Sequence, residues 1–93
     1  MIIGTCKVYM SADWVDTLKE KRSIVKSIVE RVKNRFNVSI AEIEDQDVHR
    51  SIVIGYACVT SSTRLADEIV HNVLKYIEHN TDAFVHDVVI EIL

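Results

Sequence analysis

Residues 17–37 have the sequence TLKEKRSIVKSIVERVKNRFN, in which apolar side chains recur at every third or fourth position. This spacing places the apolar side chains on one face of an α-helix. Thr17 and Glu20 have the spacing of a capping box, and Asn37 suits the residue that follows a helix. We therefore predict an amphipathic helix between Thr17 and Asn37. Its buried face is expected to comprise Leu18, Ile24, Val25, Ile28, Val29, Val32 and Phe36.

Length and composition limit the fold and the cellular setting. The chain has 93 residues, of which 48% are hydrophobic, so we predict one domain with a compact core. No signal-peptide pattern opens the sequence and no apolar run is long enough to cross a bilayer, so we expect a cytoplasmic protein without a membrane partner. Cys6 and Cys58 lie in strand-like segments without a CxxC motif, and we expect reduced, buried thiols.

Four further segments have the alternation or the β-branched composition of strands. They are residues 2–10, 38–44, 51–60 and 83–93. The third segment is apolar almost throughout, as expected of a central strand, whereas two glutamates favour an edge position for the second. A second helix is predicted to begin at residues 61–63, which offer capping side chains, and to end near Asn80.

The predicted order is strand, helix, strand, strand, helix, strand. Two βαβ units of this kind fold most simply into an α+β ferredoxin-like βαββαβ sandwich, a four-stranded antiparallel sheet with two helices on one face. A less regular α+β sandwich is the alternative. In the last strand, alternation directs Phe84 and Val88 into the core and places Val85 and Val89 on the opposite face. Trp14 is expected to close one end of the core.

The first predicted helix is strongly basic. Between Lys19 and Arg35 there are seven Lys or Arg and two Glu, in a chain whose net charge is −3. Four of the cations fall within about 60° of one another around the helix axis and extend along roughly 21 Å of it. An aligned row of cations of this kind concentrates the electrostatic field. We predict that this face contacts nucleic-acid phosphates without recognising base sequence. The predicted nucleic-acid-binding residues are Lys19, Lys21, Arg22, Lys26 and Lys33.

A solvated basic surface is the alternative to a nucleic-acid interface on this helix. Glu20 and Glu30 lie at helical pairing distance from several of the cations, and such surface pairs contribute little stability. The chain also lacks the aromatic strand motif of RRM domains and the GXXG loop of KH domains. Stacking of bases on the sheet is therefore not expected.

The sheet face that the helices leave uncovered supports a second hypothesis. Apolar side chains are predicted there, and an exposed apolar patch commonly marks an interface. A homodimer, or the docking of a protein partner, is expected through this face. Lys7 is expected to pair with Asp87 or Glu91 on the neighbouring strand. The predicted interface residues are Ile3, Tyr9, Val85, Val89 and Leu93.

Enzymatic chemistry is the third and least supported hypothesis. The segment EDQDVHR, residues 44–50, concentrates acidic groups and a histidine that would suit a weak cation site or acid–base chemistry. The histidines lack the clustered spacing of metal ligands, and no nucleophile elbow or P-loop is present. We therefore predict a protein that is not an enzyme, with no metal and no cofactor.

Several segments resemble the YlxP family, small bacterial proteins catalogued as a domain of unknown function. The most distinctive are LKEKR at residues 18–22 and RFNVSIAE at residues 35–42, and MIIGTCKVYM, QDVHRSIVIGYACVTSS and VVIEIL also agree. The resemblance implies a ferredoxin-like fold. Genes of the family often neighbour those for translation initiation and ribosome maturation factors, which implies ribosomal RNA or a ribosomal protein as a partner. The chain departs from the family at Val48 and His49, where an aromatic often follows the QD pair.

Overall fold

Six secondary-structure elements follow one another along the computed structural model, which describes residues Met1–Leu93. They are β1 (Ile2–Ser11), α1 (Leu18–Arg35), β2 (Ser39–Glu44), β3 (Ser51–Thr60), α2 (Thr63–His79) and β4 (Phe84–Ile92). The hydroxyl of Thr17 accepts a hydrogen bond from the backbone N–H of Glu20 at 3.1 Å, which caps α1 as predicted. Neither helix is both long and apolar enough to cross a membrane.

The four strands form one antiparallel sheet in the order β2-β3-β1-β4. The two longest strands, β1 and β3, pair from Ile2 opposite Thr60 to Ser11 opposite Ser51. The outer strands β2 and β4 each pair with one neighbour. Both helices cover the same face of the sheet, so the other face is left without a covering layer. This arrangement confirms the predicted α+β ferredoxin-like fold.

The core lies between the sheet and the two helices. Alternate residues of β1 are buried, which is the period expected when one face of a strand is covered. Gly4 lies where α2 approaches β1 most closely, and a Cβ there would lie 3.0 Å from Val70 Cγ2 and 3.3 Å from the Cβ of Ala66. The helices contribute Val25, Ile28, Val32, Ala66, Val70, Val73 and Ile77, and the two central strands contribute Cys6, Val8, Met10, Ile52, Ile54, Tyr56 and Cys58.

A bulge in β4 corrects the predicted facing of its first residues. The pairing register of β1 with β4 shifts between Tyr9 and Met10, so that Val85 lies opposite the buried Met10. Val85 therefore packs against the core rather than joining the uncovered face. Phe84, which alternation directed inward, lies opposite Ser11 and is 67% exposed. The single inserted residue reverses the facing of the strand start because side chains alternate with a period of two.

The loop between β1 and α1 places a different residue in the core from the one expected. Trp14 is 52% exposed, so its indole does not close the end of the core. Val15 is fully buried instead, and its carbonyl accepts a hydrogen bond from Arg50 Nε at 3.0 Å. The N–H of Val15 donates to the carbonyl of Ala12 and closes a tight turn. In this turn Val15 faces the core and Trp14 faces solvent.

Two titratable groups in the core make the free energy of unfolding change with pH in the alkaline range. Burial raises the pKa of the Cys6 thiol. Burial, together with a hydrogen bond to Cys6, raises the pKa of the Tyr56 phenol, whose hydroxyl donates to the carbonyl of Val70 at 2.7 Å. In the unfolded chain these groups ionise near about 8.5 and about 10. Above those values the folded state binds more protons than the unfolded state, so the free energy of unfolding falls as pH rises.

We expect the free energy of unfolding to be constant near pH 7–8 and to decline above about pH 8.5. The phenol of Tyr56 alone should account for about 1.4 kcal/mol of that decline by about pH 11. Urea unfolding measured at several pH values tests this, with Tyr56→Phe as the comparison. The variant should lose stability at neutral pH but show a shallower decline above about pH 9.5. If the free energy of unfolding fell equally with pH in the two proteins, the assignment of this loss to the Tyr56 phenol would be contradicted.

Candidate functional site

The outer flank of α1 carries a row of exposed cations. Lys19, Arg22, Lys26 and Lys33 are all exposed, and none of them lies within 4.0 Å of a carboxylate. Helical geometry at about 100° per residue places the four on one side, along roughly 21 Å of the helix axis. These four ammonium and guanidinium groups, here called the basic row, therefore face solvent without an ion-pair partner.

The basic row lies on the side of α1 that faces away from α2. The opposite flank of α1 contacts α2 through Arg31, which donates to the side chain of Asn80 at 3.4 Å, and through Arg35, whose guanidinium lies 5.1 Å from the ring centre of Tyr76. A large planar or rod-shaped anion can therefore approach the basic row without meeting the second helix.

The nearby glutamates form no direct ion pair with the basic row. Glu20 is engaged at the helix start, where its carboxylate accepts a hydrogen bond from the Thr17 hydroxyl at 3.3 Å. Glu30 lies between Lys26 and Lys33 on the helix surface but forms no ion pair within 4.0 Å. The Lys and Arg ion pairs of the molecule involve other residues: one is buried beneath α1, and the others lie on the uncovered sheet face, between two loops and along α2.

Lys21 is not part of the basic row, which corrects the sequence prediction for this residue. Its side chain is completely buried on the core side of α1, in line with Val25 and Ile28. The ammonium donates to the backbone carbonyls of Asp45 and Val48, the latter at 2.8 Å. It also forms an ion pair at 2.8 Å with Glu42 Oε2, a buried atom with no well-aligned hydrogen bond of its own. Contact between Lys21 and an external phosphate is therefore excluded.

The buried ammonium attaches the loop between β2 and β3 to α1. Two hydrogen bonds join it to carbonyls in the loop, and its charge pairs with the Glu42 carboxylate on β2. Asp45 has a positive φ of 55°, and its carboxylate accepts a hydrogen bond from Ser51 at 2.8 Å. The acidic segment 44–50 thus forms a turn held by internal bonds. No three His, Cys, Asp or Glu side chains lie together in an arrangement that would hold a metal ion.

The uncovered sheet face carries apolar side chains at its two ends. At one end Ile3 lies between Val59 on β3 and Leu93 beyond β4, and the latter two are well exposed. At the other end a short aromatic row crosses from β1 to β4, in which the ring of His86 lies 6.4 Å from Tyr9 and 6.5 Å from Phe84. The β4 bulge that creates this aromatic row leaves no signal in sequence alternation.

An ion pair divides the uncovered face between these two ends. Lys7 reaches across β3 to Glu44 on β2, rather than to Asp87 or Glu91 as the sequence suggested. Its strand neighbour on β3 is Gly55, where the side chain of Ile43 occupies the space that a Cβ would take. The bond to Glu44 and the adjacent Tyr9 raise the pKa of Lys7. Val53, which lies opposite both Tyr9 and Glu44, is buried on this otherwise open face.

Comparison with known proteins identifies the family. The family profile described as "Protein of unknown function (DUF503)" matches residues 3–90, a range that includes at least part of all six elements. The chain is also 44% identical over 62 residues to "Uncharacterized protein YlxP" of Bacillus subtilis (strain 168), and the alignment covers 67% of each chain. The chain therefore belongs to the YlxP/DUF503 family.

Proposed function

We propose that this protein is a non-enzymatic accessory protein that binds structured RNA through the basic row on α1. The observation that carries the proposal is the exposure of four aligned cations without an ion-pair partner, in a chain of net charge −3. Cations that are already paired contribute little to binding, whereas unpaired cations release condensed counterions when they meet phosphates. The charge asymmetry also orients the molecule, because its acidic remainder is repelled by the same polyanion.

The dimensions of the basic row suit a nucleic-acid backbone. Its roughly 21 Å length is sufficient to span several consecutive phosphates. Contacts from lysine and arginine to phosphate oxygens position a protein on a nucleic acid but do not distinguish its bases. Because phosphate contacts do not distinguish bases, the specificity is proposed to come from the shape of the RNA. The gene neighbourhood implied by the family resemblance supports ribosomal RNA as the target.

A binding measurement with matched RNAs tests this proposal. We expect fluorescence anisotropy to give similar affinities for a ribosomal RNA hairpin and for a hairpin of the same shape with scrambled stem sequence. A single-base preference greater than about tenfold would indicate base recognition, which phosphate contacts do not supply. Absence of binding to any structured RNA at low salt would contradict the proposed function.

A homodimer through the uncovered sheet face is a second candidate, favoured by the apolar side chains at both of its ends. Val59, Phe84, Val89 and Leu93 are large, exposed and located on this face. The four strands have 10, 6, 10 and 9 residues. At about 3.4 Å per residue and about 4.8 Å between strands, they present roughly 570 Å² per copy. Stable protein interfaces bury about 800 Å² per partner, so this face supplies most of the area that a dimer needs.

Sedimentation equilibrium tests the dimer, with Val89→Lys as the matched variant. Val89 lies on the edge strand β4, opposite Lys7 on the uncovered face, so a lysine there would place two like charges side by side in each copy. We expect the wild-type protein to show a concentration-dependent dimer and the variant to remain monomeric. A wild-type monomer at high concentration would contradict this candidate function.

A further inference from the structure

The groove between α1 and α2 contains a second concentration of cations. It is an open cleft of about 430 Å³, within the range of about 300–1,000 Å³ that is usual for ligand sites. No acidic side chain lines it. The lining residues are Arg35, Phe36, Asn72, Lys75, Tyr76, His79 and Asn80.

The floor of this cleft is an aromatic pair covered by a guanidinium. The rings of Phe36 and Tyr76 meet edge to face with centres 5.5 Å apart and are both half-buried. The guanidinium of Arg35 lies over the Tyr76 ring at 5.1 Å, and Arg35 is exposed. Arg35 lines the cleft and is exposed, so its planar, cationic guanidinium is accessible to a ligand there.

Hydrogen bonds fix most of the polar groups around this surface. Asn80 Nδ2 donates to the carbonyl of Tyr76 at 2.8 Å, and its oxygen accepts from Arg31. His79 Nδ1 lies 2.7 Å from the carbonyl of Lys75, which can only accept, so Nδ1 carries the proton and Nε2 is left to accept a hydrogen bond from a ligand. The amide of Asn72 forms no internal hydrogen bond. The cleft thus offers a free amide, a free ring nitrogen and an ammonium beside the planar cation.

We propose that this interhelical cleft binds one unpaired nucleotide of an RNA, with the base stacked on the Arg35 guanidinium and the phosphate held by the Lys75 ammonium. Unpaired bases in RNA are commonly bound by stacking on aromatic rings or on arginine guanidinium planes. The Asn72 amide is placed to bond a base edge, since an amide offers both a donor and an acceptor. This inference rests on the proposed function: the basic row holds the backbone and the cleft takes a base from a bulge or loop of the same molecule.

Amide chemical-shift titration with adenosine 5′-monophosphate tests the site directly, and inorganic phosphate is the matched ligand without a base. We expect the nucleotide to shift the signals of Asn72, Lys75 and Tyr76 and to bind more tightly than phosphate. Arg35→Lys keeps the charge but removes the planar surface. It should weaken nucleotide binding about fivefold or more, since stacking contributes about 1–3 kcal/mol per base, and leave phosphate binding unchanged.

Two comparisons separate this inference from the proposed function. Arg64→Lys, at an exposed position paired with Glu68 on α2, is the control and should bind the nucleotide like the wild type. Equal nucleotide affinity in wild type and Arg35→Lys would overturn the cleft assignment, as would identical shifts from phosphate alone. A variant with Lys19, Arg22 and Lys26 changed to Glu should still bind the mononucleotide, so loss of duplex RNA binding in that variant bears on the basic row alone.

Discussion

Lys21→Met is expected to lower the free energy of unfolding by about 3–5 kcal/mol, the usual cost of removing one partner from a buried ion pair. The substitution keeps the aliphatic stem but removes the ammonium that bonds Glu42 and the carbonyls of Asp45 and Val48. Small domains have only about 5–15 kcal/mol of stability in total, so the variant should unfold at a much lower urea concentration. Urea unfolding followed by circular dichroism measures the difference.

Two further variants identify the cause of that destabilisation. Lys19→Met, at an exposed position two residues earlier, should change stability by less than about 0.5 kcal/mol. Lys21→Met combined with Glu42→Met should recover part of the loss, because apolar replacement of both partners of a buried pair is often tolerated. Recovery should be incomplete, since the two loop carbonyls remain without their donor. Equal stability of Lys19→Met and Lys21→Met would refute the role assigned to the buried ammonium.

Reversing three charges of the basic row should reduce RNA affinity by about a hundredfold or more at low salt. Each cation near a phosphate contributes about 1 kcal/mol in water, and three lost contacts amount to about two powers of ten before repulsion is added. The variant carries Lys19→Glu, Arg22→Glu and Lys26→Glu. All three positions are exposed on α1, so circular dichroism should show an unchanged fold. Fluorescence anisotropy with a ribosomal RNA hairpin provides the affinities.

A single pair of variants controls for net charge in this experiment. Arg22→Glu and Arg64→Glu change the total charge equally, and both positions are exposed and helical. Only Arg22 belongs to the basic row, so only its variant should lose several-fold in RNA affinity. An equal loss in both would mean that binding follows overall charge rather than the alignment of cations on α1.

The sequence contains the information for most of the fold because the signals are local. Apolar spacing and the Thr17 cap define α1, and the apolar run of β3 predicts its central position. The β4 bulge could not be predicted in this way, since one inserted residue exchanges the facing of Phe84 and Val85 while their composition is unchanged. Register shifts depend on the pairing of distant segments, which a single strand pattern does not report.

The burial of Lys21 has a signal in the sequence that charge-based reasoning overlooks. Lys21 lies four residues before Val25 and seven before Ile28, so helical periodicity places it on the buried stripe. The charge of Lys21 favours contact with a phosphate, whereas its position on the helix favours burial. The acceptors that make burial tolerable come from β2 and its following loop, and no spacing within α1 predicts them.

The interhelical cleft was also beyond prediction from sequence. Arg35 and Tyr76 belong to different helices, and their contact depends on how α1 and α2 pack. The same holds for the ion pair of Lys7, whose partner Glu44 lies two strands away across β3. Residue chemistry therefore indicates which groups are available, whereas the fold decides which of them meet.

The salt dependence of RNA binding tests the proposed function most directly. For four phosphate contacts, a plot of log affinity against log salt concentration should have a slope of about −3.6 between 50 and 200 mM, and the triple charge-reversal variant should have a slope near −1 or shallower. These values would identify the basic row as the origin of the counterion release. A wild-type slope near zero, or the same slope in the variant, would contradict the assignment of RNA binding to the outer flank of α1.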